Sequence, residues 1–258
     1  MLRKGDLTQG GITGTLLHFT LPMLVGSFLQ QCYNIADTLI VGQCIGAGAL
    51  AAVGSAYTLM VFLISVLLGL AMGSGTVFSL HYGAGNHVAL RRSIFSSFAL
   101  IGIVTLILNV VVFIWLDPIL RLLQVPQDIY GMMRSYLWII FCGIVFTFIY
   151  NFYASLLRAV GDSVTPLWFL AVSVVLNIAL DLFFILQLDW GIQGAAAATV
   201  LAQGVAALGI IIYTYRRRPE LRWHHEDMCF DRTCLKEIAS FSTLTCVQQS
   251  VMNLGILM

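Results

Sequence analysis

Residues 21–42 read LPMLVGSFLQQCYNIADTLIVG, an apolar segment long enough to cross a bilayer that nevertheless carries a carboxylate at Asp37. On insertion scales an aspartate at the centre of a membrane helix costs roughly 2.5–3.5 kcal/mol, so such residues usually face a cavity and mark an ion, proton or substrate path. A second apolar segment poses the same problem: NIALD at 177–181 ends on Asp181. Two acids in this setting point to a transporter.

The rest of the chain agrees. Of its 258 residues 59% are hydrophobic and only 10% charged, with a mean hydropathy of +0.92, whereas soluble domains carry about a quarter charged residues. Runs of about 20 apolar residues cross hydrocarbon as helices, because no water is present there to satisfy an open backbone. Six such runs are expected, at Leu16–Val41, Leu50–Leu80, Ile94–Leu116, Tyr130–Leu157, Leu167–Leu186 and Ile192–Tyr215, and a further one begins near Leu235. The fold class is therefore an all-α membrane protein, a six-helix transmembrane bundle plus the start of a seventh helix. The expected organisation is a transmembrane lobe over 1–215, a charged cytoplasmic loop over 216–236 carrying Pro219, and the first turns of another helix over 237–258.

The first 15 residues, MLRKGDLTQGGITGT, have no small-residue cleavage site, so no signal peptide is expected. The far end, VMNLGILM, stops without a flanking charge or aromatic anchor, which reads as a helix cut short and a second half missing. A faint repeat fits duplication: Gln30 and Asn34 recur as Gln249 and Asn253 at the same spacing, with Ile256 opposite Asp37.

Basic residues set the orientation. With the N-terminus inside, Arg3, Lys4, Arg91, Arg92, Arg158, Arg216, Arg217, Arg218, Arg222, Arg232 and Lys236 all fall inside, and Arg121 and Arg134 alone fall outside. A cytoplasmic N-terminus is expected. Topology accounts for the basic residues, so no nucleic-acid partner is expected. The six cysteines are scattered and read as small apolar fillers rather than a disulfide framework. His224, His225, Cys229 and Cys234 cluster in the inner loop, but their spacing matches no familiar zinc site.

Polar residues within the helices form stripes. Ser27, Gln30, Asn34 and Asp37 step by three or four in the first run, Ser173, Asn177 and Asp181 by four in the fifth, and Thr199 and Gln203 by four in the sixth. Stripes make a site only where they meet at one depth. Asp37 and Asp181 lie about five residues, or roughly 7 Å, from the outer ends of outward-running helices. Tyr136 and Thr199 lie roughly 9–11 Å down inward-running ones. Asp37, Tyr136, Asn177, Asp181 and Thr199 thus converge in the outer half of the membrane if their helices are neighbours. Oxygen donors of this kind suit a hard cation such as Na+, or the acid pair carries protons. Ser27, Ser173 and Gln203 read as interhelical packing polars. Pro22 removes a backbone bond inside the first helix and reads as a kink or hinge.

Four segments carry a resemblance: LPMLVGSFLQQCYNIADTLIVG at 21–42, LLRAVGDSVTP at 156–166, NIALD at 177–181 and GIQGAAAATVLAQ at 191–203. They resemble the multidrug and toxic compound extrusion (MATE) antiporters of the wider flippase superfamily. The resemblance implies twelve helices in two six-helix lobes around a central cavity, of which this chain is the first lobe. It also implies a cation or proton site at Asp37, Asn177, Asp181 and Thr199 with Tyr136 beside it, and a bend at Pro22 that answers protonation. The implied activity is Na+- or H+-coupled export of organic, often cationic, drugs and toxic compounds, with no organic cofactor. Half a cavity cannot alternate, so the missing lobe or a second copy is implied as a partner. Arg158, Gly161 and Asp162 read as a cytoplasmic turn before Pro166.

Two other functions compete. A flippase for lipid-linked oligosaccharides holds phosphates with basic residues, yet no Lys or Arg lies deep in a helix here. An intramembrane aspartyl protease also needs two membrane acids. Its Tyr-Asp and Gly-x-Gly-Asp motifs are not matched, since Ala36 precedes Asp37 and Leu180 precedes Asp181.

Overall fold

The computed structural model describes residues 12–222 and 232–257, and among them every regular element is helical. In chain order these are α1 (Ile12–Cys44), α2 (Ala47–Gly83), α3 (His87–Leu122), α4 (Gln127–Cys142), α5 (Ile144–Ala159), α6 (Val164–Leu182), α7 (Gly191–Arg217) and α8 (Arg232–Leu257). A π-helical turn, Phe183–Gln187, prolongs α6, and a 3-10 turn, Pro219–Leu221, follows α7.

The apolar runs become helices as expected, with two differences. The fourth run is not one helix: α4 and α5 meet at Gly143 with a bend of 48°. The cause is a close approach. A Cβ at Gly143 would lie 2.6 Å from Val200 Cγ1, so glycine lets α7 press against the backbone at this point, and it is also a weak helix former. The second difference concerns α1. Among the described residues α2, α3, α6 with its π turn, and α7 are long and apolar enough to cross a membrane, and the bent α4–α5 pair makes a fifth span. Among the described residues α1 is not in that set, and Gln30, Gln31, Asn34 and Asp37 stand in its second half. α1 also runs unbroken through Pro22, whose ring leaves the carbonyl of His18 without its usual partner.

The lobe is built around α2, α5 and α7. α2 packs against α3, α4, α5 and α8, while α7 packs against α4, α5 and α6, and α1 closes the edge against α6. Aromatic rings fill the junction of α2, α3 and α5: Phe98 lies 5.2 Å from Phe148 and 5.3 Å from Phe152, and Phe78 meets Phe152 edge-on at 5.9 Å. On α7 the packing is the reverse in kind. Ala195, Ala196, Ala198 and Ala202 are buried, and such small side chains let membrane helices approach closely, where dispersion and interhelical hydrogen bonds hold them. Large apolar side chains face outward instead, among them Ile107, Ile114, Trp168, Val175 and Leu208. This is the distribution expected where lipid is the solvent.

α8 is seated tightly against α2. Added Cβ atoms at Gly69 and Gly73, a small-xxx-small pair, would strike the α8 backbone at Cys246 and Ser242. The contact is polar as well as close, with Cys246 Sγ 3.4 Å from the Val66 carbonyl and Ser242 Oγ donating to the Leu70 carbonyl at 3.4 Å. Cys246 is half-buried there, but Cys32, Cys44 and Cys142 are exposed, so these three do not fill the interior as expected. His224, His225 and Cys229 lie outside the described residues, as does the side chain of Cys234.

At the α5–α6 turn, Asp162 Oδ1 accepts from the Thr165 N–H at 3.0 Å and Oδ2 from its hydroxyl at 2.9 Å, so it caps the start of α6. Arg218, just beyond α7, reaches the same carboxylate at 3.3 Å and Glu220 at 3.5 Å. Burial alone depresses the Arg218 pKa, but the two acids outweigh it and hold the guanidinium above its ordinary value. Near the α3–α4 turn Arg134 forks onto Asp117 at 2.7 and 3.2 Å, and Tyr130 donates to the same carboxylate at 2.9 Å.

Candidate functional site: a buried carboxyl pair

The close packing of α6 on α7, and of α1 on α6, brings the polar stripes together. Asp37 (α1), Tyr136 (α4), Asn177 and Asp181 (α6) and Thr199 (α7) are all buried, Asp181 completely. All five residues singled out in the sequence therefore share one interior cluster. The two carboxyl groups are neighbours that interact directly across the α1–α6 seam. Tyr136 lies within electrostatic reach of both.

Asn177 organises the centre. With its amide oriented to satisfy both ends, Nδ2 donates to Asp181 Oδ2 at 2.9 Å, and Oδ1 accepts from the Thr199 N–H at 3.2 Å and hydroxyl at 3.3 Å. That fixes one oxygen of Asp181 and leaves the other open. Among the described residues four buried side-chain polar atoms have no hydrogen-bond partner, and two of them are Asp37 Oδ1 and Asp181 Oδ1. A buried, unpartnered carboxylate oxygen is unfavourable unless a proton or cation meets it. Two of them in one cluster fit a small monovalent cation or a shared proton, whereas no group of three or more His, Cys, Asp or Glu occurs among the described residues.

One participant was not anticipated. The Tyr33 hydroxyl lies 3.2 Å from Thr199 Oγ1 and close to Asp37. It stands four residues before Asp37, one turn along the same face, and that spacing was the available signal. The expected stripe on α1 also needs correction. Ser27 and Gln30 are exposed, Ser27 bonds back to the Met23 carbonyl, and Asn34 pairs with Gln31 at 3.1 Å. At about 100° per residue, Ser27 and Asp37 differ by roughly 80° around the helix. The stripe is a band with Asp37 at one margin, and Tyr33 lies beyond that margin, toward the interior.

Beside Thr199, at the Gly143 break, is a small cavity of about 20 Å³. Thr199, Gln203 and Thr147 line it together with Met60, Gly143 and Val200. Thr147 donates to Gln203 Oε1 across the seam between α5 and α7, and Asn151, one turn on, donates to the Thr147 carbonyl at 2.8 Å. Gln203 thus has an interhelical bond, as a packing polar should.

Known proteins share this architecture. The multidrug resistance MATE family transporter of the MOP superfamily solved in an outward-facing conformation superposes with a TM-score of 0.91 at 24% identity, over all of this chain and 57% of that one. A MOP superfamily transporter from Pyrococcus furiosus gives 0.87 at 25% identity, again over 57% of its chain. Among curated sequences, the "Probable multidrug resistance protein YpnP" of Bacillus subtilis is 35% identical over 84% of this chain and 49% of its own. The multidrug export protein MepA of Staphylococcus saprophyticus is 31% identical over 78% of this chain and 45% of its own. The chain spans about half the length of the curated relatives it matches. The MatE family profile matches residues 22–183, a stretch that contains Asp37, Tyr136, Asn177 and Asp181 as well as both halves of the bent span, and the chain belongs to the MatE family of membrane-embedded multidrug efflux transporters.

Proposed function

We propose that this chain is the first lobe of a cation-coupled exporter of organic, often cationic, compounds, and that Asp37, Asn177, Asp181 and Thr199, with Tyr136 and Tyr33 beside them, hold the coupling ion, Na+ or H+. The observation that carries this reading is the pair of unpartnered oxygens, Asp37 Oδ1 and Asp181 Oδ1, inside one buried cluster. Asp37 belongs to α1 and Asp181 to α6. A cation or proton between them offsets their repulsion and draws α1 onto α6, and its loss releases α1. Occupancy of the site therefore biases the α1–α6 seam by the difference in ion affinity between its closed and open arrangements. The organic substrate binds elsewhere, in a cavity completed by a second lobe, or by a second copy of the chain. The lobe proposed here runs from residue 1 to 215, and 216–236 is its link to that second half. The excess of basic residues in alternate loops supports an inside N-terminus in a plasma membrane.

The test uses the chain in lipid nanodiscs, since all the proposed ligands lie within it. Radioactive sodium binding is measured at fixed pH, and protonation is followed by the infrared C=O band of the neutral carboxyl. The wild type is expected to respond to one ion or both, and Asp37→Asn and Asp181→Asn each to abolish the response. Undiminished binding and protonation in both variants overturn the assignment.

A further inference from the structure

We infer that the cavity at the Gly143 break is a water-binding site that connects the carboxyl pair, through Asn177 and Thr199, to a polar seam running inward between α5 and α7. Its role in ion exchange rests on the reading of the acids as an ion site, while the water site itself rests on geometry alone. A buried water needs room for about one probe sphere, roughly 10–15 Å³, and two to four polar partners. The cavity has about 20 Å³ and three polar side chains, Thr199, Gln203 and Thr147, in its wall. Its other walls are apolar, so a water there is held by these three.

The partners have capacity to spare. Gln203 accepts from Thr147 through Oε1, and among the described residues its Nε2 has no partner, which leaves both of its amide hydrogens for a guest. Thr199 Oγ1, which donates to Asn177 and lies within reach of the Tyr33 hydroxyl, retains a lone pair. Irregular backbone at membrane depth is tolerated where it lines a water-filled space, and the α4–α5 break is placed at this wall. Its backbone polar groups are drawn into local bonds, with the Gly143 N–H donating to the Ile140 carbonyl at 2.9 Å and Asn109 Nδ2 donating to the Phe141 carbonyl at 2.9 Å.

The sequence of groups has a direction. Asp181, Asn177 and Thr199 lie toward the outer ends of α6 and α7. Gln203 is one turn along α7 from Thr199, and Thr147 and Asn151 follow on α5 in the same sense. The guest water stands at the joint between the two sets. It gives the acids a hydrated contact within the lobe, on the side away from the α1 edge, so that the ion site is wetted from the interior.

The experiment is water-edited solid-state NMR of the chain in lipid bilayers, with side-chain-labelled Gln and Thr. Magnetisation from water is expected to reach Gln203 and Thr199 as early as it reaches exposed loop residues such as Gln124. Transfer at Gln203 no faster than at a dry interior residue such as Thr105 overturns the proposal without need of any variant. Gln203→Leu and Thr147→Val are then expected to abolish the transfer to Thr199, and to slow carboxyl protonation after a pH jump by about two- to tenfold, in keeping with the loss of one hydrogen bond each. An unchanged rate with the water lost overturns the connection to the acids. If instead the water is present but wild type shows no ion or proton response, the ion-site reading fails and the water site stands.

Discussion

At the scale of the residue, the site depends on how a few oxygens are allotted. Asn177 meets both Asp181 and Thr199, so Asn177→Leu leaves an Asp181 oxygen without that partner in the interior and the Thr199 hydroxyl with Tyr33 alone. A loss of about 1–3 kcal/mol in unfolding free energy is expected, read as a lowered thermal midpoint in detergent. Thr199→Val should weaken ion binding more than it weakens the fold, because it removes a proposed ligand and keeps the shape. Tyr33→Phe removes a single hydroxyl contact with Thr199, and a fall in ion affinity of about two- to tenfold is expected in the sodium-binding assay. The acids were legible in the sequence because a charge in an apolar run is a large free-energy anomaly. Tyr33 was legible only through its place one turn before Asp37, a weak signal because a tyrosine in a membrane helix is common, and its hydroxyl partner lies 166 positions away. Gln30 and Asn34 misled for a related reason: spacing gives the side of a helix to within a band, whereas burial changes over a few tens of degrees.

At the scale of the element, apolar run length located the helices and could not reveal the break in the fourth. Gly143 sits in an unremarkable stretch, IIFCGIVF, and what bends the chain there is Val200 on α7, a contact between residues far apart in sequence. Gly143→Ala is expected to destabilise by about 1–3 kcal/mol through overpacking, and Val200→Ala should recover much of it when the two are combined. The coupling energy of that double-mutant cycle in thermal unfolding is the measurement, and strict additivity would show that the glycine is not there for α7. The helix ends were likewise set by contacts invisible to hydropathy. α6 is capped by Asp162 and α7 is tied off by Arg218 on the same carboxylate, an arrangement that lengthens both elements past their apolar cores.

At the scale of the whole molecule, two ionic clasps hold the ends of the bundle and differ in their surroundings. Arg218–Asp162 is enclosed, with side-chain exposures of 11% and 13%, whereas Arg134–Asp117 is open, at 50% and 43%. Exposed pairs contribute little and are screened by salt. Arg218→Ala should therefore lower the thermal midpoint clearly, by an amount equivalent to about 1.5–3 kcal/mol for a charged hydrogen bond, while Arg134→Ala should leave it unchanged at moderate salt. The lobe as a unit was readable from composition and the order of its runs. The position of α8 was not, because a helix that follows a charged loop gives no sign of which neighbour it will choose.

That choice has a mechanical meaning. The α2 backbone meets α8 at Gly69 and Gly73 with only the small side chains of Ser242 and Cys246 at the contact, so a small separation of the two opens a slot too narrow for a lipid tail and breaks two polar contacts. Peeling them apart is stiff, while rolling or sliding along the groove keeps the surfaces in touch. The pair behaves as an axle in its sleeve: α8 keeps a fixed line along α2, about which it can turn and along which it can slide, and only lifting away is resisted.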